Sequence, residues 1–315
     1  MSTYLITGGC GFIGSHLADA LLDKGHLVRI LDDLSTGKRT NLSSRAELIV
    51  GDVGDKDTVQ KAMDGVDGCF HLAAVSSVQK SAEDWAGTHR TNLTGAINVF
   101  DAARSCKESG ASPVVYASSA AVYGDNASMP LAESAAPRPL SAYGADKLGC
   151  EQHARVAGVI HQVPTTGFRF FNVYGPRQDP HSPYSGVISI FAARILAGQS
   201  VTVFGDGQQV RDFIYVSDIV AFLLRGMEYA SITGPVFNAC TGSGTTIIQL
   251  ARSLASVHGT AVNIETATPR SGDIRVSLGD PNRSHNKLGI DASVSLGIGL
   301  RETIDSLRTT DEKAA

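Results

Sequence analysis

One stretch near the start of the chain constrains its fold more than any other. An apolar run, Tyr4–Thr7, leads into Gly8-Gly9-Cys10-Gly11-Phe12-Ile13-Gly14, and a helix-like segment, Ile13–Asp23, follows at once. Glycines at 8, 11 and 14 permit a tight turn and a close approach of backbone to an anion. A helix starting at Ile13 then aims free N–H groups and a positive dipole end at that anion. A glycine trio is a weak signal by itself, because an ordinary turn uses the same residues. Its setting is more telling: an acidic pair, Asp32-Asp33, closes the next apolar run twenty-four positions after Gly8. A carboxylate at the end of the second strand, roughly 20 residues on, hydrogen-bonds the adenosine ribose of a dinucleotide. Its charge repels a 2′-phosphate, so NAD is expected over NADP. Lys38 and Arg39 follow closely and read as a solvated pair that leaves room for some NADP.

The first half continues in the same rhythm. Strand-like runs at Tyr4–Thr7, Leu27–Asp32, Glu47–Val50, Gly68–His71, Pro113–Ala117 and Thr166–Phe171 alternate with helix-like stretches at Lys56–Met63, Thr88–Ser105 and Tyr143–Ala157. That alternation predicts a parallel sheet with helices on both faces. Ser141, after a Pro-rich turn, is placed to cap the last of these helices. Beyond Pro176 the rhythm changes to an irregular Pro/Ser/Tyr stretch, then a helix-like Ile188–Ala197 and a short strand Val201–Phe204. Phe213–Val216, the helix-like Asp218–Glu228 and Val236–Ala239 are read as returning the chain to the first sheet. The expected fold is α/β: a Rossmann-type doubly wound parallel sheet (1–175 and about 211–240) with a smaller, interleaved C-terminal α/β substrate-binding cap (176–210 and 241–315).

Tyr143-Gly-Ala-Asp-Lys147 sets a phenol and an ammonium at i and i+4, on one helix face. An ordinary tyrosine, with a pKa near ~10, acts as a base at neutral pH only where positive charge stabilises its phenolate. The pattern is common by chance, but the run Val114–Gly124, with Ser119 twenty-four residues before Tyr143, reads as a buried strand delivering the hydroxyls of Ser118 and Ser119 at its C-terminal end, where open α/β sheets bind ligands.

Taken together, TGGCGFIGSHL, ILDDL, Gly51–Val53, HLAA at 71–74, TNLTGAINVF at 91–100, the serine strand and YGADK resemble the extended short-chain dehydrogenases/reductases. Within them the chain is most similar to the nucleotide-sugar 4-epimerases. The resemblance runs from Thr3 to about Leu278 and implies roles residue by residue. Gly8, Gly11, Phe12, Ile13 and Gly14 form the pyrophosphate loop, with Asp32 and Asp33 at the ribose. Asp52 and Val53 lie by the adenine, and Leu72, Ala73 and Ala74 pass the pyrophosphate. Asn92 and Ser118 support the cofactor side, while Ser119, Tyr143 and Lys147 form the catalytic set. RFFNVYGP, DGQQVRD and PRSGD match family motifs that place Asn172, Arg211 and Arg270 at the substrate diphosphate and Asp273 at its ribose. Val187 and Phe204 fall at the uracil pocket, and Ser277 at the far sugar wall; surface ion pairs and plain core packing explain the arginines and the apolar pair in their own right.

The implied activity is epimerisation of a UDP-hexose (UDP-glucose/UDP-galactose, with the N-acetylhexosamine pair a further expectation) by transient oxidation at C4 with bound NAD. Related 4,6-dehydratases carry an Asp-Glu pair just after the active-site hydroxyl, and nucleotide-glucuronate decarboxylases a glutamate. Here Ala120-Ala121 stand instead. UDP-glucuronate epimerisation or decarboxylation, 4,6-dehydration and a non-catalytic NAD-binding sensor are the alternatives.

Bulk properties narrow the rest. A formal charge of −4 argues against a nucleic-acid partner. Five scattered cysteines, none at CxxC spacing, suggest neither a disulfide framework nor a metal site and fit a reducing cytoplasm. The strand-like start leaves no room for a cleaved leader, and runs such as Ile219–Leu224 fall far short of the ~20 residues that span a bilayer. The helices at 88–105 and 143–157 resemble those that pair family homodimers.

Overall fold

The computed structural model describes residues 1–107, 110–180, 186–269 and 272–314. Its strands are β1 (Thr3–Thr7), β2 (Leu27–Asp32), β3 (Glu47–Val50), β4 (Gly68–His71), β5 (Val114–Ser119), β6 (Thr165–Phe170), β7 (Asn172–Tyr174), β8 (Val201–Phe204), β9 (Val210–Tyr215), β10 (Val236–Ala239), β11 (Gly244–Thr246), β12 (Ile264–Ala267) and β13 (Val276–Ser277). Its helices are α1 (Phe12–Asp23), α2 (Lys56–Met63), α3 (Val78–Glu83), α4 (Trp85–His89), α5 (Gly95–Ala103), α6 (Ala142–His161), α7 (Val187–Leu196), α8 (Val216–Tyr229), α9 (Ile247–His258), α10 (Asn282–Leu288) and α11 (Leu296–Ala314).

Seven strands form the main sheet in the order β10-β6-β5-β4-β1-β2-β3, and every neighbouring pair is parallel. Such strands are covered on both faces, so they read as unbroken apolar runs rather than alternating ones. One core joins Leu5, Val114 and Tyr116 to Val59 of α2, Val99 of α5 and Ala154 of α6; the opposite core joins Ile6, Ile30 and Phe168 to Leu17 of α1 and Phe222 of α8. The order reverses between β1 and β4, which opens a crevice at the C-terminal ends of the strands, the ligand position of this architecture. The expected doubly wound α/β fold is what the chain adopts.

Two readings change. The helix expected over 88–105 is not a single α-helix: α4 ends at His89, Arg90–Thr94 winds as a wider π turn, and α5 begins at Gly95. The wider turn frees the Asn92 carbonyl, which accepts from the Cys150 thiol of α6 at 3.4 Å. Phe213–Val216 does not rejoin the main sheet. Its strand, β9, pairs with β7, β11 and β13 in a small separate sheet, while α8 and β10 alone return to the large one. Periodicity locates a strand, but its partner depends on contacts distant in sequence.

A second small sheet pairs β8 with β12. These two sheets and α7, α9 and α11 share a core of Phe191, Val203, Phe213, Leu254 and Leu300. At its base Asp212, fully buried, accepts from the Thr241 hydroxyl (2.6 Å) and from the N–H groups of Thr241 (2.8 Å) and Gly242 (2.9 Å). Burial still pushes its carboxyl above the usual range. Among the described residues no helix is long and apolar enough to cross a membrane.

Candidate active site

The cofactor crevice begins at Gly8. Its backbone sits in the left-handed region (φ 71°), and a Cβ there would lie 2.7 Å from the N atom of Ala73. The Gly8 turn thus lies directly against the chain leaving β4, where Leu72, Ala73 and Ala74 are half-buried. Two further links hold that chain. Thr7 Oγ1 meets His71 Nδ1 at 2.7 Å and accepts from the N–H of Ala73. Asn92, buried in the π turn, accepts from the Val75 N–H (2.8 Å) and donates to the Val75 carbonyl (3.1 Å). Asn92 thus clamps the loop beside the glycine turn.

Helix α1 starts with Gly11 as its cap, and no side chain hydrogen-bonds the N–H groups of its first turn. By contrast α2, α6 and α9 are capped by Asp55, Ser141 and Thr246. The first turn of α1, with Phe12, Ile13 and Gly14, keeps its donors for an anion. Across the crevice Asp32 is 7% exposed at the end of β2, where Oδ2 accepts from Cys10 N–H and Oδ1 from Leu34 N–H, both at 2.9 Å. Burial raises its carboxyl above the ordinary range. Asp33 is exposed and occupied with the Ser35 N–H and hydroxyl. Asp32 is thus the crevice carboxylate of the pair. Lys38 pairs with Asp179 at 2.8 Å. Asp52 caps a turn through the Gly54 N–H and pairs with Arg90 at 2.9 Å, and the Val53 carbonyl accepts from Asn98.

At the other side of the crevice, β5 ends in Ser118 and Ser119. The Ser119 hydroxyl accepts from the Ala121 N–H (3.1 Å) and so keeps its own proton available. Helix α6 packs its first turn against this corner: a Cβ on Gly144 would be 2.7 Å from the Ala121 carbonyl. The first turn of α6, which carries Tyr143, is thereby packed against the residues that follow Ser119. One turn on, Lys147 is 2% exposed, with its ammonium 5.9 Å from the Tyr143 ring centre, and no acceptor takes its proton among the described residues. That leaves the ammonium to bond solvent or a ligand. The nearby His71 is driven to a pKa of about 3, first by burial and then by the Lys147 charge, so its ring is neutral.

The sugar end is assembled from the small sheet. Arg211 on β9 lies in register with Ser277 on β13. Its guanidinium pairs with Asp273 at 2.5 Å and donates to the carbonyls of Val210 and Ile274. Arg211, Asp273 and Ser277 are therefore brought together, and a diphosphate reaching Arg211 would share it with Asp273. Arg270 lies outside the described residues. Asn172 is exposed at the start of β7, while Val187 at the start of α7 and Phe204 at the end of β8 are half-buried beside the cap core. Two buried residues without an assigned role also face the catalytic corner, Glu151 and Arg169. The 143/147/151 spacing on α6 was the available sequence signal for the first.

A pyrophosphate cradle joined to a tyrosine–lysine rim defines a dinucleotide-dependent enzyme acting at an alcohol carbon. Residues 4–240 match the NAD dependent epimerase/dehydratase family. The chain is 36% identical to a UDP-glucose 4-epimerase of Mycolicibacterium smegmatis, over 98% of this chain and 99% of that one. The fold superposes on a UDP-glucose 4-epimerase from Thermotoga maritima solved with UDP-glucose (TM-score 0.93, 36% identity, 98% and 99% covered). It also superposes on a UDP-N-acetylglucosamine 4-epimerase from Methanobrevibacter ruminantium in complex with UDP-N-acetylmuramic acid (TM-score 0.92, 35% identity, 98% and 99% covered). The chain belongs to the NAD-dependent epimerase/dehydratase family, and its cofactor is NAD. The glycine cradle, the unshared donors of α1 and the acceptor-less Lys147 ammonium all fit that group.

Proposed function

We propose that this protein is a UDP-sugar 4-epimerase that interconverts UDP-glucose and UDP-galactose. The observation that carries this reading is the corner formed by Ser119, Tyr143 and Lys147, followed by Ala120-Ala121 where dehydration or decarboxylation needs a carboxylate. NAD, when bound, would supply the hydride acceptor and donor for oxidation and re-reduction at C4. Tyr143 takes the proton of the sugar 4-hydroxyl and later gives it back, as general base and then general acid. Ser119, with its proton free, donates to the sugar oxygen, and Lys147 sets a positive charge beside the Tyr143 ring. Lys147 is also the residue to hold the nicotinamide ribose, with Asp32 holding the adenosine ribose and Ser118, Asn92 and the 72–74 loop lining the space between. Arg211 and Asp273, with Asn172 and Arg270, are assigned to the UDP moiety, and Val187 and Phe204 to the walls of its base pocket.

Ser277 is small, which leaves room at the far wall for an N-acetyl group, so we propose that UDP-N-acetylglucosamine is accepted as well. A homodimer is part of the reading: Val156, Val159 and Ile160, at i, i+3 and i+4 on α6, are 50%, 58% and 66% exposed. The five free, buried thiols support a cytoplasmic location. Incubating the purified protein separately with UDP-glucose, UDP-N-acetylglucosamine and UDP-glucuronate, and identifying products by NMR, tests the function. Bound NAD with no C4 inversion on any of them would reject it in favour of a sensor.

A further inference from the structure

Glu151 takes no part in the chemistry set out above, yet it occupies the best-connected polar position behind the catalytic corner. It lies on α6 four residues beyond Lys147 and eight beyond Tyr143, so the three side chains form one stripe along the helix. Its carboxylate is forked by Arg169 of the neighbouring strand β6, with Nε–Oε1 at 2.9 Å and Nη2–Oε2 at 2.7 Å, and both side chains are 6% exposed. Oε1 also accepts the Ser118 hydroxyl at 2.5 Å. Ser118 and Arg169 are register partners across β5 and β6, so one carboxylate ties a helix to two adjacent strands at a single level. Arg169 extends the layer, stacking 4.7 Å over the Tyr123 ring, and the Tyr123 hydroxyl donates to Asn238 on β10 (2.7 Å).

A buried ion pair is a poor means of holding a helix to a sheet. Desolvation offsets most of its attraction, and apolar residues of similar volume do as well or better. What an apolar contact lacks is direction. A forked carboxylate–guanidinium pair accepts one orientation of both groups, so it fixes the rotation of α6 about its own axis. The same carboxylate commits the single Ser118 proton, so that hydroxyl can offer a ligand only its lone pairs.

We propose that Glu151 is a positioning residue that sets Tyr143 and Lys147 in phase with the β5 hydroxyls. The proposal rests on the epimerase reading above. Four proteins test it: wild type, Ser118→Ala, Glu151→Gln and the double variant, each measured for kcat, KM and the rate of NAD release. Glu151→Gln keeps the side-chain shape but cannot satisfy both strands. It is expected to lower kcat by roughly 10- to 100-fold, the penalty of a misplaced catalytic group, while KM for the sugar nucleotide stays within about twofold. Because the Ser118–Glu151 bond is lost in both, the double variant should fall by clearly less than the product of the two single losses. Wild-type kcat in Glu151→Gln, or losses that multiply in the double variant, would overturn the proposal.

If the unbalanced Arg169 charge prevents Glu151→Gln from folding, Glu151→Gln/Arg169→Gln restores a neutral layer. A wild-type kcat in that protein would overturn the proposal equally. Failure of wild type to invert any sugar nucleotide would remove the epimerase reading alone. The same four proteins then report the coupling through NAD release: faster in Glu151→Gln, with the double variant clearly below the product of the two single effects, supports it, and independent effects overturn it.

Discussion

Gly14 makes a quantitative demand on the cofactor cradle. A Cβ at this position would lie 2.3 Å from the Gly8 carbonyl oxygen and 2.7 Å from Gly9 Cα, both backbone atoms. Ordinary contacts of this kind need about 3.5 Å, so Gly14→Ala must drive the start of α1 away from the glycine turn by roughly 1 Å. Overpacking of that size costs about 1–3 kcal/mol of stability. The larger consequence is local, because the displaced turn carries the N–H groups and dipole end that face the pyrophosphate. Leu17→Ala on the same helix supplies the contrast. Leu17 is fully buried, and its truncation removes about 2–5 kcal/mol without pushing on the helix start. Thermal unfolding and NAD affinity, measured by calorimetry on both apo-proteins, should therefore rank in opposite orders. Leu17→Ala is the less stable protein, and Gly14→Ala the weaker NAD binder by at least tenfold. Equal NAD affinity in Gly14→Ala and wild type would refute the geometry on which the cradle rests.

Tyr143→Phe should keep the fold and its NAD while epimerisation falls by at least ~10², as measured by coupled turnover assay on the purified variant. Ser277→Tyr fills the far wall and should suppress UDP-N-acetylglucosamine turnover much more than UDP-glucose turnover; equal losses in kcat/KM on the two would show that Ser277 does not gate the pocket. His71 makes a pH prediction. Its folded pKa of about 3 lies below the ordinary 6.5, so between those values the unfolded chain binds a proton that the folded one refuses. Stability from this residue is complete above pH 6.5 and falls as pH drops, by about 1.4 kcal/mol per unit. His71→Asn should thus lose roughly 2–3 kcal/mol less than wild type between pH 6 and pH 4, and parallel unfolding curves would contradict the assignment.

The main sheet and the cofactor loop were legible because their signals are local. A glycine turn, a strand-end carboxylate and an i, i+4 pair each lie within a few residues, and buried parallel strands appear as apolar runs. Ser141 as the cap of α6 is of the same kind, and its hydroxyl accepts from Gly144 as expected. What escaped was set by partners far along the chain. β9 carries the strand signal seen at Phe213–Val216, yet it pairs with residues 172–174, 244–246 and 276–277. The π turn at Asn92 acts as about a one-residue insertion, but only the five residues of α4 precede it, too short a stretch to reveal the phase shift. For Glu151 the 143/147/151 spacing is the one local signal, and Arg169 carries none that points to it. Only the fold brings them to 2.7 Å.

The separate membership of β9 has a mechanical consequence. The chain passes between the large sheet and the small one at Phe170–Asn172, Tyr215–Val216 and Ala239–Gly244, and again on either side of α10, whose Leu288 packs in the core of the large sheet. The wall bearing Ser277 is also tied across the cleft, because Leu131, which packs with Val122 and Tyr123, bridges to Gly279 and keeps that wall in lateral alignment with the corner of Ser119. The room in which a sugar could turn over is then fixed by the bulk of the side chains on that wall and not by how widely the cleft opens.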